Sequence, residues 1–245
     1  MRRIPETELM IEDEQVEAYA AADFSAAHDR FVELFRELFG DPGPACRVLD
    51  LGCGTADVAI RFARAFPSVR VHGLDGSEPM LRRGRERLAR AADLDGRVEL
   101  IAGALPAGAP PLPSYDAVIS NSLLHHLRQP QVLWRAVRRY GRPGAPVLVM
   151  DLRRPATPAA ARHLRAALAA GAPAVLARDF HNSLLAAFEP GEIAAQLAAA
   201  GLAGFVVREI GDCHVAAGGH LPQPAGRPAR PALQQKEVDL ERRPS

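Results

Sequence analysis

Between Val48 and Ala59 the chain reads VLDLGCGTADVA: an apolar run closes on an acid, breaks at two glycines one residue apart, and resumes at helical spacing. A strand, a tight turn and a helix in that order make the first half of a βαβ unit, which commits the chain to a parallel neighbour strand. Glycine removes the side chain where a backbone must bend sharply or be closely approached, and the helix start beyond it presents unpaired N–H groups. Thr55 is the expected N-cap of that helix.

The pattern repeats. RVLDL, VRVHGLD, RVELIAG, YDAVIS and APVLVMDL are short apolar runs with β-branched residues, and the helical stretches ADVAIRFARAF, SEPMLRRGRERLARA and PQVLWRAVRRY fall between them. Strands of this kind alternating with helices predict a parallel sheet covered on both faces. Apolar residues at helical spacing from Val16 to Phe39 stop at GDPGP, so one or two helices precede the first strand. After Asp151, Thr157 to Ala170, Asp179 to Phe188 and PGEIAAQLAAAG read as helices. GFVVREI and DCHVAAG then read as two strands joined at Gly211, close enough to be antiparallel neighbours only. The expected organisation is an N-terminal helical cap over 1–45, a main domain over 46–218 with a helical insertion at about 156–189, and a tail over 219–245. That tail is rich in Gly, Pro, Gln and charge, and is expected to be disordered.

Lys plus Arg number 30 and Asp plus Glu 29, a net charge of +1, so no excess draws the chain to phosphate backbones or anionic membranes. No basic stripe is interleaved with aromatics, and nucleic acid is not an expected partner; a small molecule is. Cys46, Cys53 and Cys213 are too scattered for a disulfide framework, and no CxxC or Cys/His cluster occurs, so no metal is expected. Acids stand where a secretory signal needs its apolar core, and no run approaches the ~18 apolar residues of a membrane span. The expectation is a soluble cytoplasmic protein.

Asp50 ends the first strand and Asp75 the second, where an acid can accept hydrogen bonds from two ribose hydroxyls. A dinucleotide fingerprint wants a small residue at position 57, and the Asp57 found there would repel a pyrophosphate. Taken together, LDLGCGTADVA, VHGLDGSEPML, YDAVISNSLLHHL and GAPVLVMDLRRP resemble the class I S-adenosylmethionine-dependent methyltransferases over roughly Arg47 to Gly218. The resemblance implies an α/β fold, a three-layer doubly wound sheet of seven strands in the order 3-2-1-4-5-7-6 with strand 7 antiparallel, under an N-terminal helical lid. It also implies S-adenosylmethionine as cofactor, held by Tyr19, Asp50, Gly52, Cys53, Gly54, Asp75, Gly76, Met80, Gly103, Ala104, Asn121 and Ser122. Asp50 would reach the ammonium, Asp75 the ribose, and Met80 the adenine. The chain departs from the family at Ala56, where a third glycine is usual, and at Ala104, where an acid often binds the adenine amino group.

Methyl transfer asks for in-line alignment, plus a base when the acceptor carries a proton, and histidine suits that role near neutral pH. His125, His126 and His181 are the catalytic candidates; Phe24, His28, Arg153, Phe180 and Asn182 are the substrate candidates. Methylation of oxygen or nitrogen on a small acceptor is the leading expectation, followed by sulfur. A nicotinamide-dependent oxidoreductase, or a cofactor-binding protein without methyl transfer, are the alternatives.

Overall fold

Alternate residues of the central strands point to opposite faces of one sheet, and both faces are apolar. In β1 (Arg47–Leu51), Leu49 and Leu51 enter one core layer and Val48 the other. In β5 (Pro146–Leu152), Val147 and Val149 face the first layer while Leu148 and Met150 face the second. This period of two on a sheet buried from both sides is what the continuous apolar runs encode. The computed structural model describes residues 1–6 and 9–223.

With β2 (Arg70–Asp75), β3 (Val98–Ala102), β4 (Ala117–Asn121), β6 (Val206–Ile210) and β7 (His214–His220), the order across the sheet is β3-β2-β1-β4-β5-β7-β6. The strands from β1 to β5 pair in parallel, and β7 runs antiparallel to both β5 and β6. The fold is therefore the seven-stranded arrangement expected from the sequence. The order reverses between β1 and β4, so the loops after these strands diverge to opposite faces and leave a crevice at their carboxyl ends.

Helices α1 (Asp13–Ala21) and α2 (Ser25–Phe39) precede the sheet, and α3 (Asp57–Ala65), α4 (Glu78–Ala89) and α5 (Gln131–Tyr140) cross over between its strands. After β5 come α6 (Pro158–Leu168), α7 (Ala174–Ala186) and α8 (Pro190–Ala199). The two N-terminal helices differ in kind. Phe31 and Phe35 of α2 are fully buried, and Phe35 meets Phe62 of α3 edge to face at 4.8 Å, so α2 belongs to a core layer. Helix α1 buries only Val16 and lies beside α4 and α7, over the crevice. On the opposite face of the sheet, fully buried Trp134 of α5 donates its Nε1–H to Gln196 Oε1 of α8 at 3.0 Å.

Two expectations shift. Thr55 does not cap α3: Ala56 takes the N-cap position with φ 62°, and Thr55 is buried before it. The tail does not begin at 219, because Gly219 and His220 continue β7 opposite Val147 and Pro146, and Leu221 is 5% exposed. Leu221 also exchanges backbone hydrogen bonds with Gly144 and Ala145. Composition hides this because two glycines inside a strand read as a loop. The rest of that expected tail, 224–245, lies outside the described residues. Among the described residues no helix is long and apolar enough to cross a membrane.

Truncation after Gly218 therefore removes the end of a strand and a buried leucine. We expect the unfolding free energy, measured in urea, to fall by about 2–5 kcal/mol, the usual loss for a buried leucine side chain. A stability equal to that of the full chain would contradict the observed strand end.

Candidate active site

The crevice opens into a cavity of about 760 Å³ lined by the ends of β1, β2, β4 and β5, by α1 and the start of α2, and by α6 and α7. Its floor is the glycine turn. Gly52 has φ 74° and Gly54 φ 51°, the left-handed region that glycine enters at no steric cost. A Cβ at Gly52 would stand 2.8 Å from Cβ of Leu123, and one at Gly54 would lie 3.2 Å from the Met80 methyl. The close approach inferred from the sequence is thus made in part by the chain's own side chains. Gly76 and Gly103 are likewise pressed by Ala104 and by the Gly108 backbone. Ala56 holds the third left-handed position with its methyl fully buried, so the turn keeps its shape where the usual glycine is missing.

Two carboxylates face the turn. Asp75 accepts from Gly54 N–H at Oδ2 and from Ser77 N–H at Oδ1, both at 2.8 Å, which ties the end of β2 to the turn after β1. Burial still raises its pKa, against those backbone bonds. Asp50 is 1% exposed and its Oδ2 has no hydrogen-bond partner; burial, then the neighbouring Asp75 charge, push it up to about 7. Asn121 Oδ1 is a second buried polar atom without a partner, and the adjacent Ser122 is held at φ 55°. These unpaired atoms line a polar-lipped cavity, an arrangement that costs stability unless a ligand completes it. The backbone after β3 offers less: Gly103 N–H is spent on Asp75 O and the Ala104 carbonyl accepts from Gly108 N–H.

On the far wall His125 is 3% exposed, with Nδ1 2.5 Å from Asp151 Oδ1 and its backbone N–H donating to Asp151 Oδ2. Burial opposes charge on this imidazole, but Asp151 and then Glu6 outweigh it and hold its pKa above the ordinary value. Nearby, His28 Nδ1 lies 2.5 Å from Asp57 Oδ2, and Arg61 donates to the same oxygen at 2.9 Å. Burial works against the Asp57 charge, yet these two partners hold its pKa far below the usual carboxylate range. Tyr19 and Phe24 stack at 4.8 Å between ring centroids beside His28, and burial followed by the Asp57 charge pushes the Tyr19 phenol up to about 12.

All twelve expected cofactor residues line this cavity, as do Phe24, His28, Phe180, His125 and His126. Three expected residues do not. On α7 the cavity face is Leu176, Asp179, Phe180 and Ser183, a helical repeat that turns His181 and Asn182 away; Asn182 borders a separate small cleft beside Glu6 and Arg128. Arg153 follows Leu152 on β5's edge and is directed to β6 instead, donating to Asp212 O and pairing with Glu209. The sequence reading placed Ser183 in the candidate pocket cluster with Phe180, but it missed Asp57, Asp179, Cys213 and His214, which line the cavity. His214 stands opposite Leu152 in the β5–β7 ladder, a register that no local signal reveals, and burial lowers its pKa.

Residues 49–147 match the family model described as a methyltransferase domain. Over that stretch the chain is similar to methyltransferase domains, and its fold is that of solved S-adenosylmethionine-dependent methyltransferases. An uncharacterized methyltransferase of Mycobacterium bovis is 31% identical over 129 residues, 53% of this chain and 61% of that protein. A ubiquinone/menaquinone biosynthesis C-methyltransferase of Syntrophotalea carbinolica is 32% identical over 114 residues, 46% of this chain and 47% of that protein. The chain thus spans about half to three-fifths of the length of these relatives. A crystal structure of a methyltransferase from Aquifex aeolicus superposes with a TM-score of 0.62 at 15% identity, over 86% of this chain and all of that chain.

Asp50 makes the stability of this chain depend on pH. Its pKa is about 7 when folded, against ~3.9 for an unperturbed aspartate, so between these values the folded state holds the proton more tightly and stability falls as pH rises. Asp50→Asn removes that slope. We expect the variant to gain on the parent in urea melts between pH 5 and pH 8; an unchanged pH profile would contradict the buried, unpaired state of the acid.

Proposed function

We propose that this chain transfers a methyl group from S-adenosylmethionine to a small-molecule acceptor bound in the same cavity. The observation that carries the reading is the unpaired, buried Asp50 carboxylate beside Asp75 at a strand-order reversal, both facing one cavity through a glycine turn. The donor set suits the cofactor. Asp50 would take the ammonium, which offsets the cost of its own burial; Asp75 would take the ribose hydroxyls with the lone pairs left by its two backbone bonds. Met80 and Leu105 would border the adenine, and Asn121 Oδ1 would meet the amino-acid end. When bound, the cofactor supplies a methyl group on a sulfonium sulfur that leaves as a neutral thioether.

The chain's own part is alignment and the exclusion of water. Helices α1 and α7 roof the cavity, and Gln15 Nε2 of α1 donates to Asp179 Oδ2 of α7 at 3.0 Å, closing it from above. Tyr19, with its raised pKa, stays a hydrogen-bond donor at neutral pH. For an acceptor that loses a proton, His214 is the better suited base: burial keeps it neutral and it lines the acceptor end beside Leu152 and Cys213. His125 is fixed between two carboxylates and acts as an anchor.

Acceptor chemistry of the O- or N-methyl kind fits this polar and aromatic wall. A carbon acceptor is the second reading, favoured by the name of the Syntrophotalea relative, a C-methyltransferase. A nicotinamide oxidoreductase is opposed by Asp57, whose charge sits in the first turn of α3 where a pyrophosphate would lie.

Calorimetric titration separates these classes. S-adenosylhomocysteine is expected to bind in the micromolar range and NADH not to bind, while Asp75→Ala weakens the former at least 10-fold; tight NADH binding would overturn the proposal. With labelled methyl donor and a pool of candidate acceptors, His214→Ala is expected to lower turnover of any proton-losing acceptor roughly 10²-fold or more with S-adenosylhomocysteine affinity intact. Undiminished turnover would remove His214 from the role.

A further inference from the structure

The N-terminal segment carries an acid to the two histidines after β4. Arg3 donates its Nε–H to Ala186 O at 2.5 Å and its Nη2 group to His125 O and Leu127 O at 2.7 and 3.1 Å. Its guanidinium also lies 4.0 Å above the Phe188 ring, and Ile4 N–H donates to Leu185 O. The segment is therefore pinned across the end of α7 and the 3-10 turn Leu124–His126, and Glu6 falls beside both imidazoles.

We propose that Glu6, His125 and His126 form a binding site for a divalent transition-metal ion of the zinc class. The Glu6 Oε1 atom lies 3.3 Å from His125 Nε2 and 3.5 Å from His126 Nδ1. Bonds of about 2.0–2.2 Å to a tetrahedral ion put ligand atoms about 3.3 Å apart, so two of the three edges already have the required length. All three ligand atoms lie within 4.8 Å of one another.

Two further features favour a cation over a simple ion pair. Glu6 Oε1 is buried and makes no hydrogen bond, although ring nitrogens of His125 and His126 lie 3.3 and 3.5 Å away. His125 Nδ1 is taken by Asp151, which directs Nε2 toward Glu6; a carboxylate behind a ligating histidine is the usual support for such a site. Two imidazoles and one carboxylate suit zinc and its neighbours, and leave one coordination position. Both histidines line the large cavity, so that position faces the acceptor end, where an oxygen-bearing acceptor would be its ligand.

The inference stands apart from methyl transfer, because metal binding is measured without cofactor or acceptor. The untagged full chain is titrated with Co²⁺, read by its visible d–d bands, and then with Zn²⁺ in competition. One equivalent of tetrahedral Co²⁺, displaced by Zn²⁺, is expected. Glu6→Gln and His126→Ala, both outside the buried core, are expected to lose the spectrum with the circular dichroism unchanged. Asp151→Asn is expected to weaken binding roughly 10–100-fold. No tetrahedral spectrum from the parent chain, or a spectrum that survives both Glu6→Gln and His126→Ala, would overturn the site.

Discussion

Two acids at the ends of adjacent parallel strands, Asp50 buried and Asp75 half-buried, are the constraint around which the rest of this molecule is arranged. The sheet must be apolar on both faces to fold, and its carboxyl edge is the one place where polar groups can gather. Asp75 meets that demand through two backbone N–H groups, one of which is Gly54, so the turn after β1 and the end of β2 are fixed by a single charge-assisted contact. Asp50 has no such partner and carries the cost of burial as a raised pKa. A ligand that brings a cation to Asp50 recovers that cost, which links stability and binding through one carboxylate.

The glycine turn serves the same end in a less direct way than its sequence suggests. Positive φ at 52, 54 and 56 sets the path of the chain, and Leu123 from the loop after β4 and Met80 from the first turn of α4 close over it. At position 56 the chain keeps a left-handed alanine rather than a glycine, with its methyl fully buried among α3 and α4 residues. A strain of about 1–2 kcal/mol, normal for a side chain in that region, is offset in part by that burial, which contributes about 0.8 kcal/mol for a methyl-sized group.

What the sequence revealed divides along a physical line. The parallel core and the antiparallel end were legible, because apolar runs, their spacing and the Gly211 turn are local signals, while the sheet order came from the family resemblance alone. The part of the cavity at the ends of β1, β2 and β4 was legible because its residues stand at strand ends marked by acids and glycines. The part formed by α7 and β7 was not. Whether His181 or Phe180 faces inward depends on the rotation of α7 about its axis, and Arg153 is turned outward by its partners on β6 and the following turn. His214 reaches the site through strand register, and Glu6 reaches His125 over more than a hundred residues of chain. Contacts of that range leave no trace in neighbouring residues.

The most direct test is a crystal structure of the full chain grown with S-adenosylhomocysteine. The account predicts the ligand across the carboxyl ends of β1, β2 and β4, its ammonium within hydrogen-bond reach of Asp50 Oδ2 and its ribose hydroxyls on Asp75. Density elsewhere in the molecule, or a ligand whose charged end avoids Asp50, would contradict it.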